Sequence, residues 1–323
     1  MAERKRSQAE DRDGVRLTNL DQPLFDGAGA TKRELVDYLD AVADLIVAGL
    51  RDRPLSVVRV RPGEAPFMQK NVPRYTPDFV RTVTMWAESS RREVSYALCN
   101  DRQTLLWFAN QRAVEYHPML ARAGQWDNPD FVVLDIDPPD GGDFDRVVEA
   151  ALLVREALAS AGLTGAVKTS GAKGVHVFVP LADGQSGADA AAATRAIAAR
   201  AERLGPKLAT TAFVRADRGG KVFLDATRAG GATVVAAYSP RVRPGAPVSF
   251  PVGWEQLPDA RPADFTLKTA ANLLAGRDLW TDELPAPQRL PADLVAEGHD
   301  IPVARVAAMH EGKRRAQARR RSE

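Results

Sequence analysis

The stretch VVLDIDPP, residues 132–139, constrains the fold of this chain more than any other. It is an apolar run that ends in two aspartates one residue apart and is then interrupted by two prolines. If residues 132–137 are extended, side chains alternate between two faces, so Asp135 and Asp137 point the same way with roughly 6.6 Å of rise between them. Ile136 points the opposite way, into the core. The stretch therefore predicts a buried strand that carries an acidic pair on one face.

The acidic pair needs a partner of opposite charge. Two carboxylates this close repel each other, and a carboxylate removed from water without a partner is costly. Hard oxygen ligands suit magnesium or manganese, and one acidic pair can serve two such ions about 3.5–4 Å apart. The alternative is a structural pair beside a loop, with one aspartate capping the next helix. The residues of this stretch leave both interpretations open.

The composition fits a globular protein without a strong overall charge. The 323 residues suffice for one large domain or two modest ones. The chain has 44 Lys and Arg against 42 Asp and Glu, which argues against nucleic-acid binding through overall charge but allows a local basic cleft. The one cysteine, Cys99, excludes an intrachain disulfide. The N-terminus lacks a signal-like apolar core, and the apolar stretch at residues 41–50 is interrupted by Asp44, so we expect a cytoplasmic protein without a membrane partner.

Helix and strand signals are mixed in the first part of the chain. A helix is predicted from Thr31 to Gly49, because Thr31 and Glu34 fit a capping box and the glycine suits the exit. Strands are predicted from β-forming residues between positions 55 and 110, in the segments LSVVRVRP, EVSYALCN and TLLWFAN.

The second part continues the mixture. After the acidic strand, the predicted elements are a helix from Asp143 to Gly162, a strand–turn–strand over residues 165–180, an alanine-rich helix over 188–204 and a strand in KVFLDAT, residues 221–227. Because strands and helices do not repeat as strict βαβ units, the order favours an α+β fold or a mixed sheet.

The turn TSGAKGVHVF, residues 169–178, supplies Ser170, Lys173 and His176 around two glycines. Exposed backbone N–H groups in such a turn, together with a lysine, can hold an anion such as a phosphate. It is not a Walker loop, since no G-x-x-x-x-G-K-[ST] motif precedes a helix. An ordinary hairpin is the alternative interpretation.

The role of two other polar residues depends on which side chains lie beside them in the fold. Asp225, near the end of KVFLDAT, would complete a two-metal cluster if its strand lies beside the acidic strand, and is otherwise structural. His117, in EYHPML, has a hydrogen-bonded core position as its simpler interpretation. As a set, three aspartates and a phosphate-binding turn fit nucleotidyl transfer, which needs metals to activate a 3′-hydroxyl and cations to hold a triphosphate.

The order of these motifs resembles the polymerase domain of bacterial DNA ligase D, a branch of the archaeo-eukaryotic primase superfamily that acts in non-homologous end joining. The resemblance covers nearly all of residues 17–270. It is carried by LTNLDQPLF, GATKRELVDYL, PFMQKNVP, VEYHP, FVVLDIDPP, VKTSGAKGVHVFVPL, GGKVFLDATRAGG and DFTLKTA. It implies an α+β primase-polymerase fold with mixed or antiparallel central sheets flanked by helices.

The resemblance assigns roles by position. It implies that Asp135, Asp137 and Asp225 hold two divalent ions, manganese or magnesium, and that His117 is an active-site histidine. The residues implied to contact the incoming nucleoside triphosphate are Ser170, Lys173, His176, Arg218, Arg241 and Arg243.

The resemblance to the DNA-binding part of the family is incomplete. The residues implied to contact DNA are Asn19, Lys32, Phe67 and Lys70. The family also grips a 5′-phosphate on the downstream strand, but Gln22 stands where a lysine is usual and Val58 where many members have another. We therefore expect weaker recognition of that phosphate.

Together these observations predict a flexible segment at 1–16, a catalytic domain at 17–305 and a basic tail at 306–323. The expected function is a template-dependent repair polymerase that adds nucleotides, by resemblance ribonucleotides, to primer ends at gaps or double-strand breaks. No K-x-D-G ligase motif occurs, so we expect a stand-alone polymerase that works with a separate DNA ligase and an end-binding protein. The alternatives are a two-metal nuclease and a DNA-end-binding scaffold without catalysis.

Overall fold

The computed structural model describes residues 10–87, 91–229 and 232–303. The helices in these ranges are α1 (Lys32–Ala41), α2 (Ala43–Leu50), α3 (Arg102–Asn110), α4 (Phe144–Ser160), α5 (Gly187–Leu204), α6 (Ala270–Leu274), α7 (Leu279–Glu283) and α8 (Ala292–Asp300). The strands are β1 (Glu10–Arg12), β2 (Val15–Leu17), β3 (Pro54–Arg59), β4 (Phe67–Gln69), β5 (Thr82–Ala87), β6 (Arg92–Leu98), β7 (Ala113–Pro118), β8 (Phe131–Asp137), β9 (Ala166–Thr169), β10 (Val175–Pro180), β11 (Ala209–Thr210), β12 (Val222–Asp225) and β13 (Pro251–Val252).

The strands form two large sheets and a small N-terminal hairpin. The first sheet has the order β4-β3-β6-β5, and β7 also pairs with β3. The second has the order β11-β12-β8-β10-β9-β13, and only its β11–β12 pair is parallel. Helices and mostly antiparallel sheets combine as expected for the α+β class.

The central strand β8 has a different environment on each of its faces. Val132, Leu134 and Ile136 are fully buried in the main hydrophobic core, and both α4 and α5 contact this strand. The alternate positions include Asp135 and Asp137, so the apolar face holds the strand against the helices and leaves the acidic face for other contacts. This alternation confirms the orientation predicted for Ile136.

Local capping signals lie where the sequence predicted them. The Thr31 side chain accepts a hydrogen bond from the Glu34 N–H, and the Glu34 carboxylate accepts one from the Thr31 N–H. The Asp143 side chain caps α4 by accepting a hydrogen bond from the Asp145 N–H. The helix expected from Thr31 to Gly49 is interrupted at Val42 and forms α1 and α2 instead.

The prediction of a strand in TLLWFAN is wrong, because this segment lies in α3. The Asp101 side chain accepts a hydrogen bond from the Thr104 N–H and starts the helix. Its continuous apolar run is buried against α1, α2 and β7. In a short run of apolar residues buried on several sides, neither the helical period of about 3.6 residues nor the strand period of two is visible. The sequence pattern alone therefore cannot distinguish a strand from a helix.

Regular structure begins earlier than expected. Residues 10–17 form the β1–β2 hairpin, and the Arg12 guanidinium in it contacts Asp37 at 2.6 Å and Asp40 at 3.1 Å on α1. Part of the segment predicted to be flexible is therefore tied to the first helix. The basic tail predicted at 306–323 lies outside the described residues. Within the described ranges, none of the helices combines the length and the apolar character needed to span a membrane.

Candidate active site

Three aspartates meet on one face of the second sheet. Asp135 and Asp137 lie two residues apart on β8, and Asp225 on the neighbouring strand β12 is the register partner of Asp135. Register partners on adjacent strands place their side chains side by side on the same face. Strand pairing therefore brings together the three carboxylates that the sequence leaves far apart.

Arg228 bridges two of these carboxylates. Its Nη2 lies 2.9 Å from Asp135 Oδ2, and its Nε lies 3.2 Å from Asp225 Oδ2. The other Asp225 oxygen, Oδ1, accepts a hydrogen bond from the Thr227 N–H at 2.8 Å. Among the residues that the structure describes, no three His, Cys, Asp or Glu side chains are grouped so as to hold a metal ion. A cation of the chain itself thus balances part of the acidic cluster.

The two aspartates of β8 experience opposite electrostatic influences. Burial raises the pKa of Asp137 to about 6, and the charges of Asp135 and Asp225 add to this effect. Burial also disfavours the charged form of Asp135, but His176 and Arg228 outweigh it and lower its pKa to about 2. The charges of Arg228 and Arg218 offset these effects on the pKa of Asp137 only in part.

Polar residues continue this row across β10 and β9. His176 is the register partner of Asp135, and Lys168 is that of His176. His176 Nε2 lies 3.2 Å from Asp135 Oδ1, and its Nδ1 lies 2.8 Å from Lys168 Nζ. Burial, assisted by the nearby Lys168, lowers the pKa of His176 to about 4. His176, predicted to contact the nucleotide, thus lies beside Asp135 and orients its carboxylate.

A cleft of about 680 Å³ opens beside Asp137. The predicted nucleotide contacts Lys173, Arg218 and Arg243 all line it. The Arg218 guanidinium stacks on the ring of Phe223, with 3.6 Å between its Cζ and the ring centroid. Because cations that converge in a concave site attract phosphates, this cleft can hold a triphosphate next to the acidic cluster.

Ser170 and Arg241 organise the turn behind this cleft. The Ser170 hydroxyl oxygen accepts hydrogen bonds from the N–H groups of Ala172 at 3.2 Å and Gly174 at 3.1 Å. The Ser170 carbonyl accepts a hydrogen bond from the Arg241 guanidinium. Two N–H groups of the predicted anion-binding turn are therefore used within the turn itself.

His117 lies on β7, in the first sheet, and contacts a residue that sequence reasoning missed. Its Nε2 lies 2.8 Å from Glu115 Oε2, and burial lowers the pKa of the imidazole. Glu115 also lies 3.2 Å from the Arg241 Nε. The signal was present in VEYHP, since residues two apart on a strand share a face.

The residues predicted to bind DNA differ in their exposure to solvent. Asn19 and Lys70 are exposed, and Phe67 is half-buried with the Arg61 guanidinium 4.7 Å from its ring centroid. These side chains can be reached from solvent. Stacked aromatic and guanidinium groups are common in single-strand binding.

Lys32, by contrast, is not accessible for contact with DNA. It is only 3% exposed, and its ammonium donates hydrogen bonds to the Thr18 carbonyl at 2.5 Å and to Asn110 Oδ1 at 2.6 Å. Burial lowers its pKa to about 8. The geometry therefore does not support the predicted DNA contact of Lys32, although Gln22 borders a nearby cleft of about 720 Å³.

Comparison with known proteins agrees with this fold. The chain is an enzyme of the metal-dependent nucleotidyltransferase class, of polymerase–primase type. It belongs to the family described as the LigD primase-polymerase domain, whose model matches residues 31–280. This bears out the resemblance found in the sequence.

Individual relatives define the extent of the match. The chain is 32% identical over 261 residues to the bifunctional non-homologous end joining protein LigD of Bacillus subtilis, covering 79% of this chain and 41% of the relative. It is 33% identical over 250 residues to the multifunctional non-homologous end joining protein LigD of Mycolicibacterium smegmatis. This match covers 76% of this chain and 32% of the relative. The chain thus spans less than half the length of these relatives.

A solved structure matches the fold more completely. It is the polymerase domain from Mycobacterium tuberculosis Ligase D in complex with DNA, with a TM-score of 0.75 and 29% identity. The match covers 89% of this chain and 99% of that one. The fold described above is therefore that of the LigD polymerase domain.

Proposed function

We propose that this protein is a template-dependent DNA-repair polymerase that adds nucleotides, preferentially ribonucleotides, to primer ends at gaps or double-strand breaks. It acts in non-homologous end joining or gap filling and uses a two-metal mechanism. The observation that carries the proposal is the pairing of Asp225 with Asp135 beside Asp137, at the edge of a cleft lined by cations. A polymerase needs an acidic cluster and a triphosphate site next to each other.

The acidic cluster fits divalent cations through its donor set. Asp135, Asp137 and Asp225 offer hard carboxylate oxygens, and Arg228 shows that a cation is stabilised between two of them. Two bound ions, manganese or magnesium, would activate a primer 3′-hydroxyl and neutralise charge on the departing pyrophosphate.

The chain's own residues bind and orient the substrates. Lys173, Arg218 and Arg243 line the cleft and would hold the triphosphate. His176 on β10, supported by Lys168 on β9, fixes the direction of the Asp135 carboxylate, so that it needs little reorganisation during reaction. The DNA complex of the mycobacterial polymerase domain supports DNA as the second substrate.

The testing experiment is extension of a primer across a gapped duplex. Each of the four ribo- and deoxyribonucleotides is supplied separately, in magnesium and in manganese. We expect extension with ribonucleotides, best in manganese. Replacement of both Asp135 and Asp137 by alanine should abolish extension while DNA binding stays roughly unchanged, because the carboxylates serve the cations and not the DNA backbone.

The matched control is Asp183→Ala, which removes one exposed carboxylate outside the cleft and should extend as the wild type does. Unchanged extension by the Asp135 and Asp137 double variant would remove the proposed metal site. Cleavage of labelled DNA without added nucleotides would instead favour a two-metal nuclease.

We further propose that the enzyme cooperates with a separate DNA ligase and an end-binding protein in the cytoplasm. The support is that the named relatives are non-homologous end joining proteins. Primer extension followed by addition of a purified ligase would test whether the extended product can be sealed.

A further inference from the structure

Glu115 is a buried carboxylate to which neither the sequence nor the family comparison assigns a role. It lies on β7 and is only 7% exposed. Its Oε2 lies 2.8 Å from His117 Nε2 and 3.2 Å from Arg241 Nε, and its Oε1 accepts a hydrogen bond from the Val242 N–H at 2.8 Å. One side chain thus holds an imidazole, a guanidinium and a backbone donor.

These contacts join parts of the chain that are distant in sequence. Glu115 and Val242 are 127 positions apart. Arg241 also donates to the carbonyl of Ser170, in the turn that borders the triphosphate cleft. The Glu115 carboxylate therefore holds β7 and the segment at Arg241 and Val242 in a fixed position relative to that turn.

The charge of Glu115 is maintained despite its burial. Burial by itself would raise its pKa, but the hydrogen bond with His117, the charge of Arg241 and the Val242 N–H together lower it to about 2. The carboxylate is therefore ionised throughout the working range of an enzyme. An ionised carboxylate on Nε2 holds hydrogen on that nitrogen and leaves the lone pair of a neutral imidazole on Nδ1.

Stability alone is a weak explanation for this arrangement. Buried ion pairs often contribute little net stability, because removing the charges from water costs about as much as their attraction returns. By resemblance, His117 is an active-site histidine and Arg241 contacts the incoming nucleotide. Orientation of those partners accounts for the use of one shared carboxylate.

We propose that Glu115 is a positioning residue for nucleotide addition, setting the tautomer of His117 and holding the Arg241 guanidinium on the Ser170 carbonyl, in the turn beside the triphosphate cleft. This inference rests on the proposed polymerase function and deepens it. Glu115 acts through its two partners and touches no substrate itself.

The test is Glu115→Gln, which keeps the size of the side chain and an oxygen for the Val242 N–H but removes the charge. Loss of a charge-assisted contact to each partner should raise the KM for the nucleotide by roughly tenfold or more, with a smaller change in kcat. Nitrogen-15 NMR of the imidazole should show a single Nε2–H tautomer of His117 in the wild type and a mixture in the variant. The matched control, Glu93→Gln on the exposed end of β6, should leave KM, kcat and the imidazole signal unchanged.

Each result decides the inference. A folded Glu115→Gln protein with unchanged KM and kcat, in an assay where the wild type extends primers, would overturn the positioning role and leave the polymerase function standing. A wild type that extends no primer under any condition would remove both. If the variant does not fold, the wild-type spectrum decides, since hydrogen on Nδ1 of His117 is incompatible with the proposed contact.

Discussion

Individual side chains of the acidic cluster differ because their neighbours differ. Asp135 has His176 on one side and Arg228 on the other, so its charge is compensated. Asp137 faces the cleft and has the charges of Asp135 and Asp225 nearby, which together with burial raise its pKa to about 6. At the scale of residues, the place where added positive charge stabilises the cluster most is beside Asp137.

The bridging contacts of Arg228 predict competition with metal ions. In Arg228→Gln, an entering cation no longer displaces a guanidinium from Asp135 and Asp225, so manganese should bind roughly tenfold tighter. Calorimetric titration with manganese, in the absence of nucleotide and DNA, measures this directly.

The matched control for that titration is Arg215→Gln. Arg215 is exposed, lines the cleft beside Asp137 and pairs with Asp140, so its loss removes the same charge without freeing the cluster. Equal affinities in the two variants would mean that Arg228 acts only through overall charge.

Strands β8 and β10 approach each other closely at the level of secondary-structure elements. An added Cβ on Gly174, just before β10, would lie 2.3 Å from the Ile136 carbonyl oxygen and 3.0 Å from Asp137 Oδ1. No side chain fits at this distance, so glycine is what permits the two strands to pair directly beside the acidic site.

We therefore expect Gly174→Ala to destabilise the protein by about 1–3 kcal/mol, because a methyl group is forced against backbone. Urea unfolding measures the change, and primer extension should fall with it as Asp137 is displaced. The control is Gly49→Ala in α2, where an added Cβ has no neighbour within 4 Å. That change should stabilise by about 0.5–1 kcal/mol, and similar losses in both variants would contradict the strand-contact explanation.

On the scale of the whole molecule, the formal charge is only +2, so nucleic-acid binding must come from local concentrations of cations. The triphosphate cleft is one such place. The cleft at Gln22 also contains Arg61, Arg112 and Arg243, but its other charged residues include Asp26 and Glu64. This mixture of charges gives the second cleft less attraction for a phosphate.

A phosphate on the downstream 5′ end should therefore improve binding to a gapped duplex by less than about tenfold, below the range of one strong charge-assisted hydrogen bond. Lys32 is buried and Gln22 is uncharged, so neither supplies a free cation. Paired titrations of phosphorylated and unphosphorylated gaps measure the ratio. Gln22→Lys should increase it, and a large ratio in the wild type would show that other residues form the phosphate site.

Much of the local structure could be predicted before the fold was known, because periodicity and capping act through neighbouring residues. The apolar run and its alternation specified β8 with Asp135 and Asp137 on one face, and Thr31 and Glu34 specified the start of α1. Where the period was hidden, as in the apolar run of α3, the same reasoning gave the wrong element.

Which distant residues meet can be seen only in the folded chain. Pairing of β12 with β8 placed Asp225 opposite Asp135, packing buried Lys32, and the fold brought Arg241 to Glu115. The physical reason is that strand pairing and packing depend on shape and burial across the whole chain. Spacing along the sequence carries no information about which strand becomes the neighbour of another.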